Sequence, residues 1–270
     1  MGFVVDASWL EGASDRGKVD QRIRFDEVRS FLGELYGPDL HAKRIDSLAG
    51  ATLGVMAAAS LAAAMIGQAL AQARGLVTRH AVKQVDRLPS NNGTDVWDSF
   101  ARWMPHHPNG RAQALVAMDG TDFDHDHQST LLLSLVTGHG RAAPLLWFPI
   151  WKAELAARRS DFEDACLRRL AELAPPGWTI RRAFRDTKDL RFGMGLSSTS
   201  IGAPTRHDRL LLVSAFAVAL LTLLGAVGES LGMDRLLKST ASKTRTHSLS
   251  RQGRKLYGLI PTCRNTDWPR

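Results

Sequence analysis

The spacing of apolar positions changes period along the chain, and that change divides it. Between residues 15 and 37 the apolar residues Ile23, Phe25, Val28, Phe31, Leu32 and Leu35 have the spacing of a helix or helical pair ending at Gly37-Pro38. An alanine-rich run over 47–73 and the stretch ARGLVTRHAVKQVDRL extend the helical reading. LPSNNGTDVWDSF then supplies a loop and a short amphipathic helix with Val96, Trp97 and Phe100. After the turn-rich MPHHPNGR, which marks a boundary near 104–110, the period changes. AQALVAMDG, STLLLSLVTG and RAAPLLWFPIW are apolar runs separated by turn residues and predict three adjacent, largely buried strands. SDFEDACLRRLAEL returns to helical spacing through Phe162, Cys166, Leu170 and Leu173, with Ser160 and Glu163 placed as a capping box. A basic segment, RRAFRDTKDLRFGMGLSSTS, leads into a second long apolar run over 210–228. No repeat recurs at a fixed period.

This order predicts a mixed chain, α+β or α/β. A helical region covers 1–104, a core of strands and helices 111–234, and a basic tail 235–270. At 270 residues the chain can bury a substantial core as one large domain or two small ones. Thirty-five Lys and Arg against 27 Asp and Glu give a net charge of +8, which favours a polyanionic partner. Cys166 and Cys263, the only cysteines, form no C-x-x-C pair, so a disulfide framework and a zinc finger are both unsupported and a reducing compartment fits. The N-terminus lacks the basic start and apolar stretch of a signal peptide. The runs over 47–73 and 210–228 are each long enough to span a bilayer, so the alternative reading is a small membrane protein. Against it, the first run carries Ser47, Thr52, Ser60, Gln68 and Gln72, and the second is flanked by charges of both signs. On composition alone a pair of buried helices and a pair of spans both stand.

The densest candidate chemistry is MDGTDFDHDHQ, at the end of the first predicted strand. Asp119 is held by a rigid element, and magnesium often takes only one or two carboxylates plus substrate phosphate. Asp122, Asp124 and Asp126 alternate beyond it, sharing a face in a strand or capping amides in a turn. His125 and His127, two residues apart without a further ligand, are weak evidence for zinc. From spacing alone, a metal ligand and a solvated acidic turn both stand.

Five blocks carry a resemblance to bacterial insertion-sequence transposases of the IS4 type. They are HAKRIDSLAGATLGVM, ALVAMDGTDFDHDHQSTLLLSLVTGHGRAAPLLW, RRSDFEDACLRRLAEL, FRDTKDLRFGMGLSS and RLLLVSAFAVALLTLLGAVGESLGMDRLLKS, in the family's order from about Phe25 onward. The resemblance implies a helical DNA-end-binding region and a ribonuclease-H-like core in which two Asp and one Glu hold Mg2+ for DNA transposition. Asp119 resembles the first catalytic aspartate and metal ligand. Lys188 matches the lysine of the family's tyrosine-arginine-glutamate-lysine signature. The Asp-Arg-Gly-type motif of the second aspartate does not occur, and Arg181 stands at the Glu position. The resemblance therefore implies an internally deleted copy, joined near Gly177, with an incomplete ribonuclease-H-like mixed sheet flanked by helices and no catalytic activity. Its implied partner is double-stranded DNA at element ends, contacted by Lys43, Arg44, Arg79, Lys83 and Arg87, with Arg182 and Arg185 from the core. Self-association, or mixed oligomers with an intact transposase, would follow. In the family both apolar runs belong to soluble protein, so the resemblance implies buried helices and no membrane partner, and the expected location is the bacterial cytoplasm, on the nucleoid.

Overall fold

The computed structural model describes residues 23–106, 113–137, 142–174, 179–184 (backbone only), 201–237 and 247–259. The N-terminal part is helical: α1 (Phe25–Tyr36), α2 (Ala42–Ala58), α3 (Ala63–Arg74), α4 (Thr78–Arg87) and α5 (Val96–Trp103). Helix α1 buries Val28, Leu32, Leu35 and Tyr36 and stops at Gly37, as the spacing predicts; residues 15–22 lie outside the described ones. The alanine-rich run is not one helix. It breaks at 59–62, where Ala59 adopts a left-handed conformation and the Ser60 hydroxyl accepts from the Ala62 amide. The axes of α2 and α3 differ by 97°. The side chain of Ile66 packs against Gly54, where a Cβ would collide with it, so α2 and α3 meet at close range.

The three predicted strands form as β1 (Gln113–Phe123), β2 (Gln128–Leu135) and β3 (Ala143–Trp151), paired antiparallel in sequence order. A fourth, β4 (Thr179–Phe184), runs parallel to β1 on its other side, giving the order β3-β2-β1-β4. The sheet is mixed. Helix α6 (Lys152–Leu173) links β3 to β4 and covers one face, where Phe162 stacks on Phe148 at 5.6 Å. It begins eight residues before the Ser160 start signal. The signal survives as a kink: Arg158 leaves helical geometry (φ −139°, ψ 36°), and Glu163 pairs with Arg159 in place of a capping box.

Helix α7 (Pro204–Ser230) covers the other face and also packs on α2 and on the 3-10 turn Leu88–Ser90. It is long and apolar enough to cross a membrane, yet 67% of its most apolar window is buried inside the protein. A helix enclosed on several sides needs no polar stripe, which accounts for its near-uniform apolarity. The aromatic rings tie the layers together. Tyr36 and Trp103 both meet Phe216 of α7, Phe100 meets Trp147 edge-on at 4.8 Å, and Trp97 bridges Phe100 to Phe148. The core is therefore continuous across the turn-rich 104–110 stretch.

Two further features fix α7. Arg209, buried at its first turns, donates to the carbonyls of Pro89 (2.8 Å), Thr94 (3.2 Å) and Thr205 (3.2 Å) and to Asn92 Oδ1 (3.4 Å). Within the stretch 235–270, Leu249–Leu259 forms α8, which lies on α7 through Gly225, Gly228 and Gly253. Leu249, Leu256 and Tyr257 of α8 are buried, while Arg251 and Arg254 are exposed.

Candidate functional site

Asp119 sits in the body of β1, opposite Leu132, and is half-buried. Its Oδ1 accepts from the Gly120 amide at 2.8 Å. Strand alternation separates it from the rest of the acidic cluster. Asp119 shares a face with Phe123, whose ring meets His207 of α7 at 4.6 Å. Gly120 and Asp122 belong to the other face, toward Arg159 and Lys152 of α6.

The remaining aspartates are occupied with local structure. Asp122 accepts from the Ser129 hydroxyl at 2.6 Å and pairs with Lys152 at 3.2 Å. That hydrogen bond holds the Asp122 carboxyl below the usual range against partial burial, with Lys152 and Arg159 adding to it. Lys152 also takes Asp124. Both pairs are solvent-exposed and contribute little to stability. Asp124–Asp126 forms a 3-10 turn that ends at His127 in a left-handed conformation (φ 53°). Asp126 receives the Ile201 amide at 3.2 Å and lies 3.1 Å from His125 Nδ1. Burial pushes the Asp126 carboxyl up, but these two hydrogen bonds, together with electrostatic attraction from His125 and His207, leave it lowered. The cluster thus builds the β1–β2 turn around Lys152 and pins the approach to α7.

Among the described residues no group of three or more His, Cys, Asp or Glu is placed to hold a metal ion. A pair of divalent cations clamping attacking and leaving oxygens needs several carboxylates. The described residues around Asp119 do not fit that requirement. Lys188 and Arg185 lie outside the described residues, as does the junction near Gly177. Arg181 and Arg182 are in β4, described by backbone alone, opposite Leu115 and Val116. Four residues of strand, about 13 Å, separate the Arg181 position from that of Asp119.

The basic candidates of the N-terminal helices divide. Arg79, Lys83 and Arg87 lie on the exposed face of α4, whose other face buries Ala81 and Val85. Lys43 is exposed at the start of α2. Arg44 is half-buried over Gly93, where a Cβ would collide with its guanidinium, so packing competes with any contact to a partner. Arg74 stacks on the Phe25 ring at 3.6 Å. Two clefts flank the His80–Lys83 ridge of α4. One, about 300 Å³, lies toward α2 and is lined by Ser47, His80, Lys83, Gln84, Arg87, Leu88 and Asn91. The other, about 910 Å³, lies toward α3 and is lined by Ala63, Ala64, Arg79, His80, Val82, Lys83 and Asp86.

Sequence reasoning missed the buried polar start of α7. His207 is enclosed, with Nδ1 3.3 Å from Gln128 Oε1 and Nε2 without a hydrogen-bond partner among the described residues, while Gln128 Nε2 donates to the Ile201 carbonyl at 2.7 Å. Burial pushes the His207 pKa down to about 4, with Asp126 pulling the other way. Next to it, Asp208 has its Oδ1 buried and without a partner among the described residues, and burial pushes its pKa up to about 7. The signal available was RHDR at the mouth of an apolar run.

These two groups oppose each other in pH. The neutral His207 stabilises the fold fully above pH 6.5, and that contribution falls as pH drops from 6.5 toward 4. Asp208 is protonated in the fold, so its contribution is complete below pH 3.8 and is lost as pH rises toward 7. Asp208→Asn should expose the His207 slope, with stability rising by on the order of 3 kcal/mol between pH 4 and 6.5. His207→Asn should reverse the slope. Urea midpoints at the two ends of the window measure both, and slopes unchanged from the parent protein would contradict the assignment.

No family model, curated protein or solved structure matches the chain.

Proposed function

We propose that this chain is a DNA-binding protein of the IS4 transposase type whose catalytic centre is incomplete. The observation that carries the reading is the sheet. Three antiparallel strands are followed, across a helix, by a strand parallel to the first, in the order β3-β2-β1-β4, with Asp119 on β1. This is how a ribonuclease-H-like sheet begins, and it agrees with the place the resemblance gives Asp119. The fold alone does not specify chemistry, since many activities share an architecture.

DNA binding draws support from the +8 charge and from the row Arg79, Lys83, Arg87, which makes no ion pair among the described residues. Inactivity draws support from the missing carboxylates: a single inherited ligand cannot build the two-metal clamp of in-line phosphoryl transfer. On this reading the chain acts on nucleoid DNA in the bacterial cytoplasm and occupies element ends without cutting them.

Binding of the full chain to a labelled duplex tests the reading. Each phosphate neutralised adds about −0.9 to the slope of log K against log salt. Four contacts predict an affinity loss of roughly a hundredfold between about 50 and 200 mM salt. Absent or salt-insensitive binding overturns the DNA-binding assignment. Asp119→Ala should leave this binding unchanged.

A further inference from the structure

We infer that the cleft between α2 and α4 is a phosphate socket, which seats one backbone phosphate of duplex DNA while the exposed row of α4 tracks its neighbours. This rests on the DNA-binding reading and adds where and how the contact is made. The cleft holds about 300 Å³, on the order of ten water volumes, enough for a phosphate group with its first waters. Its lining has an unusual polarity for an exposed groove: it contains no carboxylate. Lys83 and Arg87 bring charge, and His80, Gln84 and Asn91 bring donors. Asn91 already uses its carbonyl oxygen to hold the Gly93 amide at 3.0 Å, which leaves its NH2 group to donate. Ser47 is the exception, since its hydroxyl donates to the Lys43 carbonyl at 3.0 Å and can only accept.

The cleft toward α3 is the contrasting case. It is larger, partly floored by Ala63, Ala64 and Val82, and contains Asp86. A carboxylate at its rim disfavours a phosphate there. Both clefts share His80 and Lys83, so that ridge is the line along which an anion would be drawn into the carboxylate-free side. Arg79, Lys83 and Arg87 recur every four residues and span about 12 Å of helix. One DNA strand presents a charge per about 3.4 Å of axis, so the three cations can meet separate phosphates.

The socket is also held in shape. Its wall at Leu88 and Asn91 belongs to the segment whose carbonyls at Pro89 and Thr94 are clamped by buried Arg209. Gln84 lies across Gly50 of α2, its amide nitrogen 3.5 Å from where a Cβ would stand. Rigid, preorganised donors bind an anion at a smaller ordering cost than mobile surface lysines.

Three variants of the full chain, measured by duplex binding across a salt series, test the proposal. Lys83→Gln with Arg87→Gln should reduce the salt slope by about 1.8. Gln84→Leu removes no charge, and should weaken binding severalfold at an unchanged slope. Arg251→Gln with Arg254→Gln, on the exposed face of α8, should alter neither. If the parent binds duplex but the first variant keeps the parental slope, or Gln84→Leu binds like the parent, the socket is wrong and the DNA-binding reading stands. If the parent binds no duplex, both fall. Binding of the α4 face to anionic phospholipid vesicles without duplex binding also overturns the proposal.

Discussion

Arg209→Ala is expected to lower stability by roughly 3–5 kcal/mol, measured as a urea or thermal shift at neutral pH. Arg209 is a buried cation whose neighbours are chiefly carbonyls rather than a facing carboxylate: Pro89, Thr94 and Thr205 each receive one of its N–H groups. Its removal leaves the Pro89 and Thr94 carbonyls of one distant segment without this donor in the interior, and each such group costs about 1–3 kcal/mol. It also empties a volume at the joint between the N-terminal helices and α7. Arg209→Lys keeps the charge but offers no planar fork, so it should recover only part of the loss. If the socket against α2 depends on this clamp, duplex affinity falls with Arg209→Ala even where the protein remains folded. Stability within about 0.5 kcal/mol of the parent would mean that Arg209 is not holding the joint.

Gly253→Ala and Gly225→Ala should each destabilise by about 3 kcal/mol or more, against the direction of helix propensity. Alanine in a helix interior is intrinsically better than glycine by about 1 kcal/mol. At these two positions the added methyl meets backbone: at Gly253 the Leu221 carbonyl, at Gly225 the Leu249 carbonyl. A backbone obstruction cannot swing aside as a side chain can, so α8 must lift from α7. Amide exchange should accelerate across Leu249–Leu259 while the amides of β2 stay protected, the pattern of local rather than global opening. A stabilising effect would show that the two helices cross at a greater distance than described. Gly258 is the internal control, because a Cβ there meets nothing within 4 Å.

The three consecutive strands were legible because their runs are short, apolar and separated by turn residues. The fourth was not. Thr179–Phe184 carries two adjacent arginines and reads as a basic segment, and its pairing with β1 is parallel and distant in sequence. The alanine-rich run concealed its break because Ala59 and Ser60 carry no strong stop signal, and only the left-handed turn at Ala59 reveals it. In the tail, counting charges obscured the spacing of Leu249, Gln252, Leu256 and Tyr257, which is that of a docked helix.

The candidate site was legible in part for a similar reason. A period of two already separates Asp119 from Asp122, which lie three residues apart and therefore on opposite faces. What occupies each face depends on α6 and α7, and no local pattern reveals Lys152 or His207 as neighbours. The cations of α4 were visible in ARGLVTRHAVKQVDRL, though not as one exposed row. The carboxylate-free cleft beside them was not, because Asn91 and Ser47 come from other segments.

The central claim is that the chain retains DNA affinity and one inherited carboxylate but cannot complete a metal-dependent cut. The most direct measurement incubates the full chain with supercoiled plasmid carrying the element's ends, in Mg2+ and in Mn2+, and follows nicking and linearisation on a gel. Binding without any cut above the metal-only control is the predicted result. Nicking that requires the metal and disappears in Asp119→Ala would contradict the account.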